Sequence, residues 1–153
     1  MIKVYLDICV YNRPFDDQTN ERIFIEARAF SIVIKWIEEG KVTSINSDAL
    51  EYENHLTANI DRRLRVKTFL SLAKDYVELS NPLLERANVL IEFGFRAIDA
   101  LHIVMAEGAG ADFFVTCDDS IAKIAKKVQN KLKVRVISLL EFLAEVMKNV
   151  END

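Results

Sequence analysis

Two apolar stretches of this chain run into an aspartate. Ile2-Lys3-Val4-Tyr5-Leu6 stops at Asp7, and Asp112-Phe113-Phe114-Val115-Thr116-Cys117 stops at Asp118-Asp119. Two further acids stand in helical surroundings: Asp99 in the unusually apolar Ala97-Ile98-Asp99-Ala100-Leu101, and Glu53 near the start of a helix. Any one of them alone reads as a helix cap or a solvated acid; their joint occurrence says more. If all four converge, carboxylates about 4 Å apart repel by roughly 4 kcal/mol at an effective dielectric of 20. Such a cluster must take up protons or a cation. An all-oxygen donor set favours Mg²⁺ or Mn²⁺ over zinc or copper. A water on such an ion can be deprotonated and aimed at a phosphodiester while the ion stabilises charge on the phosphoryl oxygens. The chemistry implied is metal-assisted phosphodiester hydrolysis.

The elements that must position these acids follow from hydrophobic periodicity. Residues 2–6 read as a strand buried on both faces. Residues 12–20 are dense in turn formers and predict a loop. Ile23, Ala27, Phe30, Ile34 and Ile37 share one helical face, and Gly40 closes that helix. A strand over 41–46 precedes a helix capped by Ser47 or Asp48. A helix over 61–73, a short strand over 76–79 and a helix from Pro82 to Phe93 follow. Gly94 breaks the chain before a helix from Arg96 to Gly108. Strands over 112–117 and 133–137 flank a helix from Ser120 to Asn130, and a last helix carries Leu139, Leu143, Val146 and Met147. This alternation predicts an α/β fold, a three-layer sandwich with a central parallel sheet of about four or five strands. In such sheets the working residues lie outside the carboxyl ends of the strands, which is where Asp7 and Asp118 fall.

Composition sets the limits. The 153 residues, 50% hydrophobic and 29% charged, suit a single domain over 1–153. Four glycines and two prolines exclude linker-rich or collagen-like architecture. No apolar run approaches the roughly 20 residues of a membrane span. The N-terminus lacks the apolar region and cleavage site of a signal peptide, so a cytoplasmic location is expected. The net charge of −4 argues against a general electrostatic grip on nucleic acid, though not against a local basic patch. The densest such patch in the sequence is Arg62-Arg63-Arg65-Lys67, either an RNA track or a solvated helix face. Cys9 and Cys117 have no metal or disulfide spacing. They flank the two strand-end acids, so sensitivity to oxidation is an expectation if those strands are neighbours. His55 reads as a surface residue. His102, one helical turn from Asp99, reads either as a base or as a packed histidine bonding locally.

The order of these acids resembles the PIN-domain family, specifically VapC-like toxins. The likeness covers roughly residues 1–140 and rests on four motifs. They are Val4-Tyr5-Leu6-Asp7, Ser47 to Glu53 opening a helix, Asp99-Ala100-Leu101-His102 with Ala106, and Val115-Thr116-Cys117-Asp118-Asp119. The resemblance implies an Mg²⁺- or Mn²⁺-dependent ribonuclease with Asp7, Glu53, Asp99 and Asp118 as its catalytic acids, the three aspartates holding the metal. It also implies a cognate antitoxin and a homodimer. An antitoxin arginine or lysine in the acidic pocket would gain charge-assisted hydrogen bonds and displace the metal. Glu51, two residues from Glu53, points about 200° away on a helix, so only one of them faces the site, and the motif favours Glu53. Asp119 is expected to cap the following helix. Asn12, Arg13, Arg96 and Thr116 are the candidate substrate contacts, although Arg96, one helical turn from Asp99, could pair with that acid instead, and Arg13 could be a solvated turn residue. Ile8 departs from the family, where a hydroxyl residue often follows the first acid. A haloacid-dehalogenase-like phosphatase using Asp7 would want an acid where Cys9 stands. A degenerate PIN fold that binds RNA or protein without catalysis is the remaining alternative.

Overall fold

A computed structural model describes residues 1–151. The apolar runs form five strands: β1 (Ile2–Leu6), β2 (Val42–Ser47), β3 (Asp75–Val77), β4 (Phe113–Thr116) and β5 (Arg135–Ser138). All four pairings are parallel, in the order β3-β2-β1-β4-β5. The central β1 has Val4, Tyr5 and Leu6 wholly buried, as a strand covered on both faces requires. The helices are α1 (Ile8–Asn12), α2 (Glu21–Glu38), α3 (Asp48–His55), α4 (Ile60–Leu70), α5 (Asn81–Glu92), α6 (Ala97–Gly108), α7 (Asp119–Val128) and α8 (Leu139–Glu151).

Adjacent residues of one strand show that helices lie on both faces. Phe113 packs on Phe142 of α8, and Phe114 stacks on Tyr5, whose ring meets His102 of α6. Successive strand side chains point to opposite faces, so α8 and α6 sandwich the sheet. The helix α2 lies beside α8. On the other face α5 packs against α6, and Ile124 of α7 lies next to Gly94 in the turn between them. The three-layer sandwich expected from the sequence is the fold observed.

Local chemistry sets the element ends. Asn20, Ser47, Asn59 and Ser80 each accept a backbone N–H in the first turn of α2, α3, α4 and α5. Gly40 and Gly94 take φ values of +77° and +114°, which end α2 and α5 where a side chain would be strained. Most element ends fall within two residues of expectation, and three regions differ for a visible reason. The predicted loop over 12–20 is preceded by α1, which Asp7 starts by accepting from Ile8 N, and opens with a 3₁₀ turn over Arg13–Phe15. Val10 and Tyr11 bury this short helix, and five residues are too few to show a helical period. The helix expected to reach 73 stops at Leu70, because Lys74 N already donates to Ser44 O to begin β3. The strand expected over 76–79 ends at Val77, since Leu79 N turns to cap the Asp48 carboxylate.

Candidate active site

The chain winds outward from β1 in both directions, so β1 and β4 bracket the point where strand order reverses. Open α/β sheets bind ligands in the crevice outside that point. Leu6 pairs with Val115, and Asp7 N donates to Val115 O at 2.8 Å, which carries Asp7 to the rim.

Asp7 is buried, 4% exposed. One carboxylate oxygen accepts from Ile8 N at 2.8 Å; the other accepts from Thr116 Oγ1 at 2.8 Å and from the Cys9 thiol at 3.4 Å. Burial raises its pKa, and these hydrogen bonds offset only part of the rise. Thr116 Oγ1 in turn accepts from Asp118 N at 3.0 Å, so one hydroxyl ties the two strand-end acids together.

Asp118, rather than Asp119, caps α7: its Oδ1 accepts from Ser120 N at 2.8 Å and from Ser120 Oγ at 2.6 Å. Its backbone is extended while Asp119 is already helical, and only a residue outside the helix can fold back onto the first turn. Asp119 instead pairs with Arg22 at 2.7 Å. Partial burial alone would raise the pKa of Asp118; the Ser120 bonds and Arg96 outweigh it and hold the carboxyl below its usual range. Arg96 joins Asp118 to Asp99. Its Nε lies 2.9 Å from Asp99 Oδ2 and its Nη2 lies 3.6 Å from Asp118 Oδ2. Asp99 is buried, whereas the Arg96 side chain is 70% exposed and free to leave.

Glu53 reaches the same end of the sheet from α3. Its Oε1 lies 2.5 Å from His102 Nε2. Glu51 turns the other way, accepting from Asn46 Nδ2 at 2.8 Å. His102 does not bond locally as one sequence reading had it. Buried completely, it bonds Tyr5, 97 residues away, through Nδ1 at 2.7 Å; Tyr5 OH also meets Ser47 Oγ at 2.6 Å, and Ser47 Oγ accepts from Leu50 N. With the ring proton on Nε2, Ser47 donates to Tyr5, Tyr5 to His102, and His102 to Glu53, so every hydrogen meets an acceptor. This assignment follows from the network. Tyr5, the one aromatic in β1, was the sequence signal for it.

The remaining expected contacts fall differently. Asn12 donates to Ile8 O within α1. Arg13, the candidate phosphate contact, pairs with Glu26 and Asp16 at 3.0 and 2.9 Å and braces the 3₁₀ turn after α1 against α2. The basic cluster on α4 is dispersed: Arg62 pairs with Asp16, Arg65 with Asp61 and Lys67 with Glu51. Both cysteines do lie at the site, where Cys117 N donates to Cys9 Sγ at 3.3 Å. The Cys117 side chain, burial and the Asp7 charge push the Cys9 thiol well above its usual pKa, against the smaller lowering by the Cys117 N–H. The reactive form is the thiolate, so a raised pKa makes Cys9 a slow nucleophile. Near neutral pH, Cys9 is expected to react with iodoacetamide far more slowly than a free cysteine, read by mass spectrometry over time. Labelling at the free-thiol rate would refute this.

Among the described residues no three His, Cys, Asp or Glu side chains stand close enough to hold an ion together. The donor chemistry nevertheless fits a hard cation. Asp99 and Asp118 already share one positive charge from Arg96, and Thr116 links Asp118 to a buried Asp7. Asp7, Asp99 and Asp118 are the carboxylates that could hold a divalent ion in place of the guanidinium.

Comparison with known proteins agrees with this architecture. The PIN domain family model matches residues 5–127. The solved structure of VapBC2 from Rickettsia felis, bound to a DNA fragment from their promoter, is similar at a TM-score of 0.53 and 15% identity. The match covers 90% of this chain and 98% of that one. PAE2754 from Pyrobaculum aerophilum is similar at a TM-score of 0.52 and 19% identity, over 96% and 98% of the two chains. No curated protein matches the sequence. No helix among the described residues is long and apolar enough to cross a membrane.

Proposed function

The chain belongs to the PIN domain family, and from that premise we propose that it is a metal-dependent endoribonuclease, the toxin of a toxin–antitoxin pair. The observation that carries this reading is the chain of contacts Asp7–Thr116–Asp118–Arg96–Asp99 at the sheet's switch point, with Glu53 held beside it by His102. Bound Mg²⁺ or Mn²⁺ would supply an activated water and neutralise charge on the scissile phosphate. The protein's own part is to orient and to move protons. Thr116 fixes Asp7, Ser120 fixes Asp118, and His102 holds Glu53 so that its second oxygen can accept a proton from the attacking water. Arg96, once released from Asp99 and Asp118, would offer its guanidinium to a phosphate oxygen. The similarity to VapBC2 supports an antitoxin as partner, and the homodimer belongs to the same proposal.

The test is cleavage of labelled structured and single-stranded RNAs with Mn²⁺, Mg²⁺ or EDTA. Cleavage with either ion that EDTA removes is the expected result. The second reading, a PIN-fold binding module without catalysis, is favoured by one observation: Arg96 already neutralises Asp99 and Asp118. Calorimetry separates the two. A nuclease binds Mn²⁺ and loses that binding in Asp99→Asn, whereas a protein that neither cleaves RNA nor binds Mn²⁺ is the module.

A further inference from the structure

The overall charge of −4 conceals a segment of opposite sign. Six of the twenty basic residues, Lys123, Lys126, Lys127, Lys131, Lys133 and Arg135, fall between Ser120 and Ser138, with no acid among them. The fold doubles this segment back on itself. The helix α7 runs away from the candidate site, a 3₁₀ turn over Gln129–Lys131 reverses the chain, and β5 returns as an edge strand. Between α7 and β5 lies an open groove of about 760 Å³, lined by Lys123, Lys126, Lys133 and Arg135. All four are exposed. Arg135 is engaged by Glu145 at 2.9 Å, but no ion pair among the described residues takes up Lys123, Lys126 or Lys133. Arg62, Arg65 and Lys67 on α4, by contrast, are each paired with an acid.

Unpaired ammonium groups around a concavity focus a positive potential that attracts a polyanion. The groove is poorly suited to an added peptide strand. Gln129 already occupies the edge of β5, accepting from Val136 N at 3.0 Å and donating to Val134 O at 2.9 Å. Its position relates it to the carboxylates. Ser138, at one end of the groove, pairs in register with Thr116, which bonds Asp7. Asp118 caps the helix that carries Lys123 and Lys126. The acid in the lining, Glu141, is turned onto Ser138 Oγ at 3.0 Å.

We propose that this groove binds the phosphodiester backbone of single-stranded RNA and leads it to the carboxylate site. The proposal rests on the nuclease reading and adds the track along which the substrate lies. Lysines act here as point charges on flexible stems, so the grip is independent of base sequence.

The test is fluorescence anisotropy of the full chain in EDTA with a labelled single-stranded RNA, across a salt series. The variant Lys123→Gln/Lys126→Gln/Lys133→Gln is compared with a control of equal charge loss, Lys35→Gln/Lys41→Gln/Lys74→Gln. The groove variant should bind at least about tenfold more weakly, and its slope of log K against log salt should fall by about 2, at about 0.7 per lost phosphate contact. The control should bind as the wild type does. Equal losses in both variants, or an unchanged slope in the groove variant, would overturn the track while leaving the nuclease reading standing. Binding of duplex DNA in preference to RNA through these lysines would overturn the RNA assignment. A wild-type protein with no affinity for RNA would overturn both proposals.

Discussion

Asp7→Asn is expected to lower RNA cleavage by on the order of 10³-fold or more while making the metal-free protein more stable. The two effects have one cause. Asp7 is buried beside Thr116 and Cys9, and burial raises its folded pKa above the unfolded value of about 3.9. The folded state therefore holds this proton more tightly than the unfolded state does. As pH rises from the unfolded pKa through the folded one, the unfolded chain binds fewer protons and stability falls. Above the folded pKa the whole cost of the buried charge is present. Asparagine keeps the shape and lets an oxygen accept from Ile8 N, but carries no charge to desolvate. In EDTA near pH 7 the variant should thus melt at a higher temperature than the wild type, and the difference should vanish below about pH 4. A divalent ion reverses the order, because it stabilises only the charged side chain. Added Mn²⁺ should raise the wild-type melting temperature and leave the variant unmoved. Thermal unfolding with and without Mn²⁺, run beside the cleavage assay, decides this. Cleavage by the variant at the wild-type rate would remove Asp7 from the mechanism.

The sheet and the rim acids could be read from the sequence because each leaves a local trace. An apolar run that stops at Asp7 or Asp118 marks a buried strand and its carboxyl end, and Asp99 stands out against its apolar helix. What could not be read was decided by contacts between distant residues or by backbone angles. The chain Tyr5–His102–Glu53 joins three elements across 97 and 49 residues. Whether Asp118 or Asp119 caps α7 turns on one residue's ψ. Arg96 reads as a neighbour of Asp99 alone until β4 and α6 are brought together, when it also meets Asp118. Charge density along the chain does not show which cations are left unpaired. The compact cluster Arg62-Arg63-Arg65-Lys67 is spent largely on nearby acids, while the more widely spaced lysines from 123 to 133 are drawn together only when the chain doubles back.

Removing the His102 imidazole is expected to be among the most damaging single changes in this protein. His102→Ala leaves a cavity where a completely buried ring stood and strips a partner from both Tyr5 and Glu53. Together these cost about 2–4 kcal/mol, or roughly 10 °C in melting temperature for a chain of this length. Cleavage should fall further than stability explains, by about 10- to 100-fold in fully folded protein, because Glu53 loses the donor that orients it. Tyr5→Phe probes the same network without a cavity. Its ring keeps the stack on Phe114, at 5.5 Å between centroids, and only the hydroxyl is lost. That should cost about 1 kcal/mol alone. In the His102→Ala background the hydroxyl has no imidazole to serve, so Tyr5→Phe should cost measurably less there. A double-mutant cycle by chemical denaturation should return a coupling of about 0.5 kcal/mol, the rest of the hydroxyl's contribution staying with Ser47. Strict additivity would mean that Tyr5 and His102 merely pack side by side, and the relay that holds Glu53 would have to be abandoned.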